Sequence, residues 1–78
     1  MKLVNASGKY PENWRSEVTI DGELVGRVES YTDSGEVQTI RVRGMFNETV
    51  AYAKSVRGEI MDMNMVETLA TVLHKPEK

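Results

Sequence analysis

Between Trp14 and Arg43 apolar and polar positions alternate. Trp14, Ser16, Val18 and Ile20 fall on one side of an extended chain, and Arg15, Glu17 and Thr19 on the other. Asp21-Gly22 interrupts this run. A second run spans Glu23 to Tyr31 and a third spans Glu36 to Arg43, with Thr32-Asp33-Ser34-Gly35 between them and Gly44 at the end. Three-residue hairpin loops place a type I turn before a left-handed residue, usually Gly. Ile20-Asp21-Gly22 and Asp33-Ser34-Gly35 both fit that form. They pair Thr19 with Glu23 and Thr32 with Glu36, hence Val18 with Leu24, Trp14 with Val28, Val28 with Ile40 and Gly26 with Val42. Both registers turn the even-numbered apolar residues to one face, which is the consistency a real sheet requires. The pattern predicts a three-stranded antiparallel meander.

A helix is expected next, packed against that meander. Asn47 is a good N-cap and Glu48 suits the first turn. Val50, Ala53 and Val56, with Tyr52 beside them, form an apolar stripe, and Arg57-Gly58 reads as a stop. Two continuations remain. In the preferred one, Glu59 to Met63 is a short fourth strand and Asn64 caps a second helix, with Glu67 three residues on, running to about His74. In the other, one helix runs from Glu48 to Leu73. The preferred fold class is therefore α+β, ordered βββαβα. Residues 1–13 read as a weakly structured segment in which Leu3 and Val4 add a short edge strand, and residues 75–78 as a charged tail of one domain, 1–78.

Composition narrows the function. With 78 residues the chain is one domain with a small core, and 40% hydrophobic against 28% charged residues is a globular balance. No cysteine is present, so disulfides and thiolate metal sites are excluded. No stretch approaches the roughly 18 apolar residues of a membrane span, and the N-terminal residues lack the apolar run of a secretory signal. A cytoplasmic protein with no membrane partner is expected. The formal charge of −2 counts against a dedicated nucleic-acid binder, whose affinity comes largely from phosphate contacts.

The candidate contact surface lies on the odd-numbered face. The expected registers set Arg15 opposite Arg27 and Arg27 opposite Arg41, a row of three arginines, with Arg43 one row away opposite Val25. Directly opposed like charges destabilise a sheet, so a row of them points to an anionic occupant: an acidic protein patch or a nucleic acid. The bland reading sets Glu17 and Glu29 within a self-neutralising surface network. Tyr31, expected opposite Val37, adds an aromatic to the arginines, a mixture common at interfaces, though such a pair also simply stabilises a hairpin. Met61, Met65, Leu69 and Val72 form a second candidate surface, for a partner or a homodimer; the bland reading makes them the cover of the sheet.

Catalysis has little to draw on. His74 has no partner at useful spacing, Asp62 and Glu59 lack further carboxylates nearby, and the glycines are too dispersed for a phosphate loop. No enzyme activity, metal or cofactor is expected. The stretch Trp14 to Gly22 and the Met45-Phe46-Asn47-Glu48 segment loosely resemble the AP2-type and integrase-arm DNA-binding domains, which implies three strands followed by a helix and a nucleic-acid contact on the open face. Glutamates stand where such domains are basic, and no site residues carry over. The leading expectation is a non-enzymatic interaction protein, a small regulator or inhibitor of phage or mobile-element type that binds a protein partner. The alternative is a nucleic-acid-binding module using the arginine row.

Overall fold

The computed structural model describes residues 1–33, 37–55 and 61–74. Its main element is a five-stranded antiparallel sheet in sequential order: β1 (Lys2–Lys9), β2 (Asn13–Ile20), β3 (Glu23–Asp33), β4 (Val37–Arg43) and β5 (Thr49–Ser55). One helix, α1 (Met63–Ala70), and a 3-10 turn over Thr71–Leu73 follow. This corrects the three-stranded meander packed on a central helix. The segment after Asn47 pairs with β4 as a strand, and the helix comes at the C-terminal side.

The correction has a physical cause. Val50, Ala53 and Val56 fit a helical stripe, but Ala51, Ala53 and Ser55 also alternate with Val50, Tyr52 and Lys54. Thr, Val and Tyr favour the pleated conformation. As an edge, β4 would leave a row of backbone donors and acceptors unpaired. Pairing with β5 satisfies them, with Ile40 opposite Ala53 and Val42 opposite Ala51. Asn47 is not a helix cap; its φ of 68° places it in the left-handed region of the β4–β5 loop. Val56 to Gly58 of the expected helix, and Glu59 and Ile60 of the expected fourth strand, lie outside the described residues. So do Ser34, Gly35, Glu36 with its expected pairing to Thr32, and the tail 75–78.

The N-terminal segment is more ordered than its sequence suggests. β1 pairs with β2 along its length, with an irregularity between Val4 and Ser7. The resemblance to three-strand-then-helix DNA-binding domains loses its basis, since two further strands intervene or precede.

Alternation holds over most of β2 to β4, though Gln38, Thr39 and Ile40 are buried in succession. Val18, Val28, Ile40 and Val42 are fully buried, and Trp14 nearly so, meeting Tyr10 edge-to-face at 5.5 Å. α1 covers this side with Val66 and Ala70, an i, i+4 pair that is also fully buried. Each buried Val contributes about 1.5–3 kcal/mol. Asp62, not Asn64, caps the helix, its Oδ1 accepting from the Met65 N–H at 3.2 Å.

Both hairpin registers differ from expectation by two residues. The first loop is Asp21-Gly22 alone, with φ of 53° and 82°. Two positive φ angles in a two-residue loop are the signature of a type I′ turn, whose twist matches that of the strands. An irregularity between Val18 and Thr19 adds the remaining offset, so Val18 meets Gly26 and Ser16 meets Val28. Val28 in turn meets Val42. A shift of two keeps the side chains up to Val18 on their expected faces, so the core survives while the charge pairs change. Past the irregularity Thr19 meets Leu24 and Ile20 meets Glu23, an offset of one that exchanges the faces of Thr19 and Ile20.

A buried polar latch joins the helix entry to the sheet. The Gln38 amide, 3% exposed, donates to Ser30 Oγ and to Tyr10 Oη, both at 3.2 Å, and its Oε1 accepts from the Met61 N–H at 2.9 Å. Tyr10 Oη donates to the Met61 carbonyl, and Ser30 Oγ donates to the Pro11 carbonyl at 2.9 Å. Four segments far apart in sequence meet at one amide.

Two outcomes test this packing. Gly26 lies under Leu73: a Cβ there meets Leu73 Cδ1 at 2.9 Å and also strikes the Arg43 carbonyl. Gly26→Ala is expected to lower the unfolding free energy in urea by about 1–3 kcal/mol. Adding Leu73→Ala restores none of this loss, because the backbone clash persists. Tyr10→Phe is expected to cost about 1–3 kcal/mol by leaving latch partners unpaired. The Tyr10 hydroxyl titrates above its ordinary range because burial disfavours the phenolate; the Gln38 bond opposes this and Asp62 adds to it. Below a pH of about 10 both folded and unfolded chains hold the proton and the latch contributes fully. As pH rises further the unfolded chain ionises first and stability falls. The stability gap between wild type and Tyr10→Phe therefore narrows above that pH, as read from denaturation at stepped alkaline pH.

Candidate functional site: the open face of the sheet

α1 covers one side of the sheet, and the opposite side carries the odd-numbered residues of β2 to β4. Three cross-strand rows build it. Ser7, Arg15, Glu29, Arg41 and Tyr52 form the first, and Val4, Glu17, Arg27, Arg43 and Thr49 the second. Lys9, Asn13, Tyr31, Thr39 and Lys54 form the third.

The expected row of three arginines is corrected by the two-residue shift. Arg15 stands opposite Glu29, not Arg27, and Glu29 stands between Arg15 and Arg41. Arg43 stands opposite Arg27, not Val25, and Tyr31 opposite Thr39, not Val37. Arg15, Arg27, Arg41, Arg43 and Tyr31 do share this face, but signs alternate along the first row.

One like-charge pair remains, Arg27 with Arg43, and Asn47 explains how it is tolerated. Arg43 donates to the Asn47 carbonyl at 3.1 Å and Arg27 to Asn47 Oδ1 at 3.4 Å. Arg43 also meets Glu29 Oε1 at 3.5 Å. A left-handed Asn in a hairpin loop thus places two oxygens between two guanidinium groups. Sequence reasoning missed this role; an Asn followed by Glu signals a helix cap equally well.

The remaining cations are poorly matched. Glu17 accepts from Asn5 Nδ2 at 2.8 Å, and Glu29 serves Arg43. Among the described residues no carboxylate lies within 4.0 Å of Arg15, Arg27, Arg41 or Lys54. Arg41 is half-buried, and its Nε is shielded from water without a hydrogen-bond partner. Its guanidinium sits 6.0 Å from the Tyr31 ring centroid, within cation–π range. Tyr52, directly opposite Arg41, is 60% exposed. Beside them a shallow depression of about 240 Å³ lies between Asn5, Ser7, Arg15, Glu17, Arg27 and Glu29. Tyr52 and Lys54 were not legible here, because they were assigned to a helix.

The second candidate surface is divided between core and solvent. Met61 and Leu69 are half-buried against the core, while Met65 and Val72 are 40% and 48% exposed. Asp62 is occupied as the helix cap, His74 is exposed beyond the 3-10 turn, and Glu59 is outside the described residues. Among the described residues no three metal-ligating side chains gather, and no helix is long and apolar enough to cross a membrane.

An orphaned guanidinium nitrogen costs about 1–3 kcal/mol, which offsets what the Tyr31 contact contributes. Arg41→Met, which keeps the length and drops the polar atoms, is expected to leave the melting temperature unchanged or raise it. Glu29→Gln, which loses the ion pair to Arg43, is expected to lower it slightly; differential scanning calorimetry separates the two. No protein-family model, curated protein or solved structure matches this chain, so function is argued from the arrangement on this face.

Proposed function

We propose that the protein is a non-enzymatic binding module whose open sheet face docks a protein partner bearing acidic side chains, and that it acts as a regulator or inhibitor by occupying that partner's surface. The observation that carries the reading is Arg41: a half-buried arginine with an unpartnered Nε, stacked near Tyr31 and beside the exposed Tyr52. A partner carboxylate at this point pairs a group the fold itself leaves unpaired. Tyrosine and arginine around a desolvated centre are also the usual composition of interface hot spots.

The alternating signs favour a protein over a nucleic acid. Glu29 lies in the middle of the face, between Arg15 and Arg41, and would repel a phosphate backbone crossing it. An acidic protein patch can match alternation residue by residue, which confers specificity as well as attraction. Tyr52 is the observation that favours the second reading, since exposed aromatics beside cations also stack single-stranded bases.

The test immobilises wild type and the double variant Arg15→Glu/Arg41→Glu and exposes both to lysate of the native host. A protein retained by wild type and weakened about tenfold or more by the double reversal supports the reading. Retention that ignores the double reversal places the site elsewhere. Saturable binding of an oligonucleotide in an anisotropy titration, weakening steeply with salt, transfers the face to the nucleic-acid reading.

A further inference from the structure

We infer that one end of the sheet is a second docking site, built for a basic amphipathic segment of a partner protein. Two hairpin tips meet there: Asp21-Gly22 between β2 and β3, and the Gly44–Glu48 loop between β4 and β5. The 3-10 turn at Thr71–Leu73 closes the third side. Between them lies an open cleft of about 520 Å³ with an apolar floor of Ile20, Leu24, Val25, Val50 and Leu73.

The side chains around this cleft are unusually exposed for their chemistry. Phe46 is 91% exposed, Met45 54%, Val72 48% and Leu24 42%. Phe46 projects from a loop whose conformation is tied down: its N–H donates to Glu48 Oε1 at 3.0 Å, and the Glu48 carboxylate packs against Gly44, where a Cβ would collide with it. A phenylalanine fixed in water at a hairpin tip contributes nothing to folding and offers a large apolar surface to a partner.

Charge selects the occupant. Asp21, Glu23 and Glu48 line the cleft, with His74 at one side, and among the described residues no Lys or Arg does. Arg15, Arg27, Arg41, Arg43 and Lys54 lie on the open face instead, while Lys2 lines a separate depression on the other side of Asp21. An apolar floor edged by carboxylates matches a helix with apolar anchors at i, i+3, i+4 and i+7 and Lys or Arg on its flanks. Anionic lipid is disfavoured by the same carboxylates. A two-fold contact between copies at this end would set carboxylates against carboxylates.

The experiment titrates the protein into a fluorescent synthetic peptide of about sixteen residues, with leucines at those anchor spacings and lysines flanking them. Saturable binding is expected. It weakens about tenfold or more for the scrambled peptide, for the peptide with glutamates replacing lysines, and for the protein variants Phe46→Ser and Leu24→Asp. Phe46→Ser alters an exposed side chain, so its fold should be intact by circular dichroism. Arg15→Glu/Arg41→Glu is expected to leave this binding unchanged, which separates the cleft from the open face. Equal affinity for the glutamate peptide, or no binding at all, overturns the proposal. So does concentration-dependent self-association, or binding to anionic vesicles, that Phe46→Ser abolishes.

Discussion

One eight-residue helix can roof one side of a five-stranded sheet and no more. That limit organises the molecule. Val18, Val28, Ile40 and Val42 all emerge on the side where Val66 and Ala70 lie, because among the described residues the helix roofs that side alone. The roof is held at both ends. Leu73 rests on Gly26, where the missing side chain makes room, and Met61 is fastened through Gln38 and Tyr10. Most of the far side is left to solvent or to a partner, although Thr39 in its third row is only 3% exposed.

That openness shows in the electrostatics. On a surface chosen for stability alone, each guanidinium would be expected near a carboxylate. Here Glu17 is drawn off by Asn5 and Glu29 by Arg43, and Arg41 stays short of a partner. The like-charged Arg27 and Arg43 coexist because Asn47 supplies an oxygen to each. The fold absorbs part of its own repulsion and leaves part available.

The face that most residues of β2 to β4 occupy is legible, because the pleat repeats every two positions and Trp14, Val18, Val28, Ile40 and Val42 mark it; Thr19 and Ile20 are the exceptions, exchanged by the irregularity after Val18. What opposes what is not. Asp21-Gly22 serves a two-residue or a three-residue loop, and local residues do not choose between them. Both choices bury the same apolar set, so burial of that set does not discriminate between the two registers. The arginines were assigned to the correct face and to the wrong neighbours. β5 was missed for a different reason. Its seven residues fit both periods, and the deciding interaction is the unfilled margin of β4, which is a non-local fact. Asn47 was misread along with it, since a polar residue that tolerates positive φ is at home in a hairpin loop as well as before a helix.

The two margins of the sheet are built differently. β1 is interrupted between Val4 and Ser7, and Asn5 and Gly8 have positive φ angles of 55° and 87°. Such an outline is a poor template for another strand. β5 breaks step with β4 only at its start, between Val42 and Arg43, and is regular from Ala51 to Ser55. Unlimited edge-to-edge growth needs two regular margins on every molecule, so a chain whose β1 margin is broken in this way resists indefinite stacking through its backbone.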